Sequence, residues 1–274
     1  MFISHCHVGA VGFGAERNDP EVGTLPKLKW ILETAGVDRA VVFVPFPSEG
    51  LGWGGEAAEQ FGDPNEWLSE ELKKYPSLVG FACINPKEPN APQRLKKAVK
   101  TGLVGAKVHP PVHGLTVNDP AIDGFFQAAE ELKIPIHIHT GVHGGFLRTY
   151  EPILIDDLAQ RHPNLPIIMD HIGGYALFDQ ALAVLHNNKR CYAGLTQCSG
   201  REPLYYLTPE RVDILLKTVD ANRIIYGLDY PWNAGNLAAL KNDIKWVQSW
   251  DISDQDKDKI LGENLAQLIE RRDA

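Results

Sequence analysis

A chain of 274 residues with 44% hydrophobic content can bury one large core, and no Ser/Gly-rich or Pro-rich linker divides it, so one domain is expected. The net charge of −8 and a pI near 5.7 argue against a nucleic-acid or anionic-membrane surface. No apolar stretch nears the roughly 18 residues of a membrane span and no basic-then-apolar leader opens the chain, so a cytoplasmic protein is expected.

Short apolar runs alternate with amphipathic stretches, the pattern of repeated βα units around a parallel sheet. The first strand, Phe2–His7, carries His5 and His7. At i and i+2 their imidazoles share a face and suit chelation of one divalent ion. Helix Leu25–Ala35, strand Ala40–Val44 and a Gly-rich loop at Gly50–Gly55 with Trp53 follow. Helix Pro64–Lys74, strand Val79–Ile84 and helix Ala91–Thr101 lead to strand Gly105–His109, on which Lys107 and His109 share a face. After helix Ala121–Leu132, strand Pro135–Thr140 brings His139, with His137 one layer deeper on the same face.

The glycine-flanked loop beyond it holds His143 and Arg148; the arginine suits either a substrate carboxylate or Glu151. Helix Ile153–Arg161 precedes strand Ile167–His171, which ends in His171. Helix Tyr175–Asn187, strand Arg190–Leu195 and helix Pro209–Val219 lead to strand Arg223–Asp229, which ends in Asp229, with Trp232 just beyond. Helices Leu237–Trp250 and Asp254–Arg271 close the chain, the latter capped by Ser253. His162 and His186, on or beside helices, are expected at the surface. Cys6, Cys83, Cys191 and Cys198 show no C-x-x-C spacing and read as reduced structural thiols.

Eight strands with intervening helices predict an α/β fold, a (β/α)₈ TIM barrel in a single domain. A doubly wound sheet is the rival, but no strand leads into a G-x-G-x-x-G or phosphate-cradling loop. Barrel enzymes place their chemistry at the C-terminal strand ends. His5, His7, His139, His171 and Asp229 all fall there, and imidazole and carboxylate are common ligands of a catalytic metal.

The H-x-H of the first strand, His139-Thr-Gly141, Asp170-His-Ile-Gly-Gly174, Tyr226-Gly-Leu-Asp-Tyr-Pro-Trp232 and Ile260-Leu-Gly-Glu-Asn264 resemble the amidohydrolase superfamily. The match is nearest to its amidohydrolase-2 branch, with metal-dependent hydrolases and nonoxidative decarboxylases related to aminocarboxymuconate-semialdehyde decarboxylase. The resemblance implies that His5, His7, His139 and Asp229 hold one divalent metal ion, zinc first, with manganese, iron or cobalt also suited to such donors. It makes Asp229 the general base as well, and His171 the imidazole that polarises substrate or assists proton transfer. Lys107, His109, Arg148 and Trp232 become the expected substrate contacts.

For Lys107 two alternatives stand: carboxylation to bridge two metals, or snorkelling to the rim. Members of the branch often carry Asp two residues before the first ligand, where this chain has Ile3, a change expected to weaken ligand orientation. The implied activity is hydrolysis of a small organic substrate (a carboxylic acid derivative, lactone or amide) by a metal-activated water. Nonoxidative decarboxylation of an aromatic or unsaturated acid is the alternative. A catalytically inactive barrel is the third reading, disfavoured because a pure binder has no need of both Asp229 and His171. The chain is short for the decarboxylases of this branch, which usually carry longer inserted loops, and this tilts the expectation mildly towards the hydrolase. The resemblance also implies a homodimer.

Overall fold

In the computed structural model, residues 1–10, 19–44, 62–232 and 237–270 are described. Eight strands form the ring: β1 Phe2–His7, β2 Arg39–Phe43, β3 Leu78–Cys83, β4 Gly105–Val108, β5 Ile136–His139, β6 Ile167–Asp170, β7 Cys191–Thr196 and β8 Ile224–Tyr230. Each pairs in parallel with the next, and β1 pairs with β8, closing the barrel. Parallel strands covered by helices are apolar on both faces, and β1, β4, β5, β6, β7 and β8 are buried along their whole length.

The longer helices between and after the strands are α1 Leu25–Ala35, α2 Pro64–Leu72, α3 Ala91–Lys100, α4 Asp123–Glu131, α5 Leu154–Arg161, α6 Gly174–Asn187, α7 Pro209–Val219 and α8 Leu237–Gln248. Their starts are set by local chemistry. Thr24, Asp63 and Thr208 accept backbone N–H groups of the first turns of α1, α2 and α7, each with a proline at one of the first two positions.

Side chains of each strand alternate between two layers. Ile3, Val42, Ala82, Ala106, Ile136, Ile138 and Met169 pack outward against helices. Phe2, Val41, Phe81, Ile168 and Ile225 pack together inside, where Leu265 and Leu268 join them. Toward the C-terminal end the inward positions turn polar, with Lys107, His137 and Asp170 all fully buried.

The expected helix Asp254–Arg271 is broken. Helices α9 Asp254–Asp258 and α10 Asn264–Glu270 flank a π-helical turn at Lys259–Glu263. A Cβ on Gly262 would stand 2.5 Å from the Phe2 amide nitrogen, so only glycine lets this turn press against the start of β1. Arg271, Trp53 and the Gly50–Gly55 loop lie outside the described residues.

His162 is a further correction. The chain turns inward after α5, burying the ring beside Phe126 with its nitrogens 3.5 Å from Asp123 and 3.6 Å from Glu130. His186 is exposed, and the four cysteines are reduced and buried, as expected. Among the described residues no helix is long and apolar enough to cross a membrane.

Candidate metal centre

The end of β1 and the end of β8 converge. His5 Nε2 lies 3.2 Å from His7 Nε2 and 3.1 Å from Asp229 Oδ1, and His7 Nε2 lies 3.4 Å from the same oxygen. Donors about 2.1 Å from one ion stand about 3.0 Å apart in an octahedral arrangement and about 3.4 Å apart in a tetrahedral one. The three observed separations span that interval, so this donor set fits a single divalent ion. His171 belongs to the same cluster, its ligand atom within 4.8 Å of those of His5 and Asp229.

The backbone bends to make this convergence. The β1 ladder shifts register on both sides between Ile3 and Cys6. His5, His171, Ile172, Gln197 and Asp229 all have left-handed φ, from 45° to 68°. Such conformations cost on the order of 1–3 kcal/mol each and collect at functional sites. Ile3, the expected weak point for ligand orientation, packs in the outer layer and does not face the site.

Electrostatics favour neutral imidazoles at His7, His171, His139 and His109, and ionised carboxylates beside them. Burial lowers His7 to about 4 and His171 to about 3, and holds His139 and His109 well below the ordinary value. Burial opposes a charge on His5 as well, but Asp170 and Asp229 outweigh it and raise that group. Burial also works against ionisation of Asp229, yet His5 and His7 hold its carboxyl well below the usual carboxylate range.

Hydrogen bonds settle two tautomers. His171 Nδ1 donates to the Thr196 carbonyl at 3.0 Å, so neutral His171 presents Nε2 as an acceptor. His139 Nε2 donates to the Gly141 carbonyl at 2.9 Å while its ring stacks on His109, centroids 4.0 Å apart. His139 thus flanks the His5–His7–Asp229 trio and is engaged elsewhere.

The remaining expected residues fall at different depths. His109 is buried against His139, with His143 edge-on to both rings. Trp232 is half-buried, 6.4 Å from the His7 ring. Arg148 is exposed and lies over the Phe146 ring at 4.3 Å; among the described residues it makes no ion pair with Glu151. Lys107 does not reach the rim. It is fully buried, and its ammonium meets Asp170. A carboxylated Lys107 would set two anions against each other there, which disfavours the two-metal arrangement.

Three residues escaped the sequence reading. Asp170 accepts from Lys107, His137 and His5 beneath the mouth. A charged residue ending the run Ile167-Ile-Met169 was the available signal. Gln197, just past β7, donates from Nε2 to Asp229 Oδ2. Tyr205 stacks on His171 at 4.3 Å and donates its hydroxyl to the Val142 carbonyl. No sequence pattern marks these last two.

The chain matches the family described as amidohydrolase over residues 43–269. Among solved structures it is similar to an uncharacterised TIM-barrel protein from Bordetella bronchiseptica, with TM-score 0.77 and 18% identity over 100% of this chain and 99% of that one. It is also similar to 2,6-dihydroxybenzoate decarboxylase from Rhizobium, with TM-score 0.71 and 17% identity over 98% of each chain. A dihydroxybenzoic acid decarboxylase from Polaromonas, solved with manganese and 2-nitroresorcinol, gives TM-score 0.71 and 16% identity over 100% of this chain and 97% of that one. At these identities the likeness establishes the barrel fold.

Proposed function

The chain belongs to the amidohydrolase family, and on that footing we propose that it is a divalent-metal-dependent hydrolase of a small organic substrate, an acid derivative, lactone or amide. The observation that carries this is the approach of His5, His7 and Asp229 to within 3.1–3.4 Å of one another beside His171. His5, His7 and Asp229 would hold the ion in this reading, His139 would complete the set on exchanging its hydrogen bond to the Gly141 carbonyl for the ion, and His171 faces the substrate. Zinc is the first candidate, and manganese, iron or cobalt suit the same donors.

Bound there, the ion supplies Lewis acidity and an acidified water, with a pKa of about 7 rather than about 15.7. Asp229 is ionised and its Oδ2 is held by Gln197, so its carboxylate can accept a proton from water and return it to a leaving group. His171, with Nδ1–H fixed on Thr196, orients the reacting water or a substrate N–H through its Nε2 lone pair. His109, Trp232 and Arg148 are the candidate contacts to the rest of the substrate, Arg148 from the exposed loop after β5.

Nonoxidative decarboxylation of an aromatic acid is the second reading. Two structural neighbours are decarboxylases of dihydroxybenzoates, and the rings of His109, His139, Tyr205 and Trp232 give the mouth walls suited to a planar substrate.

The test is elemental analysis of the purified protein with His5→Ala and Asp229→Ala variants, then a screen of lactones, amides and aromatic acids. About one divalent ion per chain, sharply reduced in both variants, supports the site. Ring opening or amide cleavage supports the hydrolase, whereas carbon dioxide release replaces it with the decarboxylase. A chain that takes up no ion after reconstitution overturns both.

A further inference from the structure

Beneath the mouth lies a buried polar cluster that the proposed chemistry does not use. Asp170 is fully buried on β6. Its Oδ1 lies 3.1 Å from His5 Nδ1 and 3.0 Å from His137 Nδ1, and its Oδ2 meets the Lys107 ammonium. We propose that Asp170 is a positioning residue that locks His5 as the Nδ1–H tautomer, with Nε2 aimed at His7 and Asp229, while Lys107 supplies the counter-charge. The inference rests on the metal reading above and adds to it the group that orients one of its ligands.

The geometry requires such a group. His5 sits where the β1 ladder shifts register on both sides, in a left-handed backbone conformation at φ 68°. Regular strand pairing therefore does not fix its ring. A side-chain acceptor must do so, and a neutral imidazole has one N–H to give. If Nδ1 carries that hydrogen, the Nε2 lone pair faces the cluster; if Nε2 carries it, the lone pair faces away. Thr196 Oγ1, at 3.3 Å from the same Nδ1, is a weaker acceptor than an ionised carboxylate.

A carboxylate behind a ligating imidazole both selects its tautomer and raises its basicity, and losing one costs about 10- to 100-fold in metal affinity. A lone buried carboxylate would be costly. Lys107 from β4 and His137 from β5 complete its shell, and Asp170 is held well below the usual carboxylate range, burial being outweighed by His137, His5 and Lys107.

The experiment compares full-length parent, Asp170→Asn, Asp170→Glu and the Lys107→Met/Asp170→Asn double variant. The double variant removes the stranded ammonium, which protects folding if the single variant is too unstable. Zinc dissociation constants are measured by chelator competition, and nitrogen-15 histidine spectra of the metal-free proteins, recorded on the alkaline side of the His5 titration where the ring is neutral, report its tautomer. Asp170→Asn and the double variant should bind zinc about 10- to 100-fold more weakly at unchanged stoichiometry, with Asp170→Glu recovering part of the loss. The His5 spectrum should move from the Nδ1–H form toward a tautomer mixture in both asparagine proteins.

Parent-like affinity with a parent-like His5 spectrum in the double variant overturns the proposal. A parent that binds no zinc overturns the metal reading instead, and the tautomer spectra still decide whether Asp170 orients the ring.

Discussion

Lys107→Met keeps the length and apolar stem of the side chain and deletes only the charge facing Asp170. Both groups are fully buried, so neither water nor a counter-ion replaces the ammonium. Removing one partner of a buried pair costs about 3–5 kcal/mol. Two imidazole nitrogens remain 3.0 and 3.1 Å from Asp170 Oδ1, which places the expected loss near the lower bound, about 3 kcal/mol. Unfolding entropy of about 2.1 cal/mol/K per residue, over 274 residues, is about 0.58 kcal/mol/K, so Tm should fall by about 5 °C.

Asp170→Asn strands the ammonium and should cost at least as much. The double variant removes both charges and should lose far less than the two singles together, a coupling of about 2 kcal/mol or more. Guanidinium denaturation and calorimetry in chelator-treated protein measure all four corners without a contribution from bound metal. Single-variant losses that add within about 0.5 kcal/mol would refute the reasoning, because the two charges would then not be interacting.

Gln197→Met removes the amide donor on Asp229 Oδ2. A hydrogen bond to a charged group contributes about 1.5–3 kcal/mol, so kcat/KM on any substrate found should drop about 10- to 150-fold, and an unchanged value would mean that Gln197 does not orient the carboxylate. Gly105→Ala places a Cβ 2.5–2.7 Å from the buried Phe81 ring. Overpacking of about 1–3 kcal/mol should lower Tm by about 2–5 °C, and Phe81→Leu in the same chain should restore most of it. Asp63 caps α2 and pairs with Arg94; its burial opposes ionisation, but the Asn65 amide and Arg94 hold its carboxyl below the ordinary value. A depressed carboxyl contributes stability above its unfolded pKa of about 3.9 and loses it as pH falls through the folded value. Asp63→Ala should therefore cost about 1 kcal/mol at pH 7 in urea titrations, with the gap to the parent narrowing below about pH 4; a gap constant with pH would exclude the ionised cap.

The strands were legible because each is a short apolar run, and β1, β5, β6 and β8 lead into metal-capable side chains. His5, His7, His171 and Asp229 stand at such ends, and the structure gathers them. Position along a strand is a local property, so one dimension suffices to find it. Partnership inside the barrel is not local. Asp170 and Lys107 are 63 residues apart and meet across the interior, with β5 between their strands. Neither residue type nor spacing tells that a lysine placed to reach the rim is instead held by a carboxylate beneath the mouth. Gln197 is hidden for the same reason, a neutral amide whose partner lies 32 residues on, at the end of the next strand.

The break at Gly262 follows the same logic, because the backbone it approaches is the first strand, which only barrel closure brings there. Period-2 alternation assigns inward and outward faces and thus finds what a site presents to its ligand. The groups that aim those side chains come from other strands, at depths set by closure and stagger. The orienting layer becomes readable only once the ring is closed, which is why Asp170 stands beside His171 in the sequence and yet serves His5 in the fold.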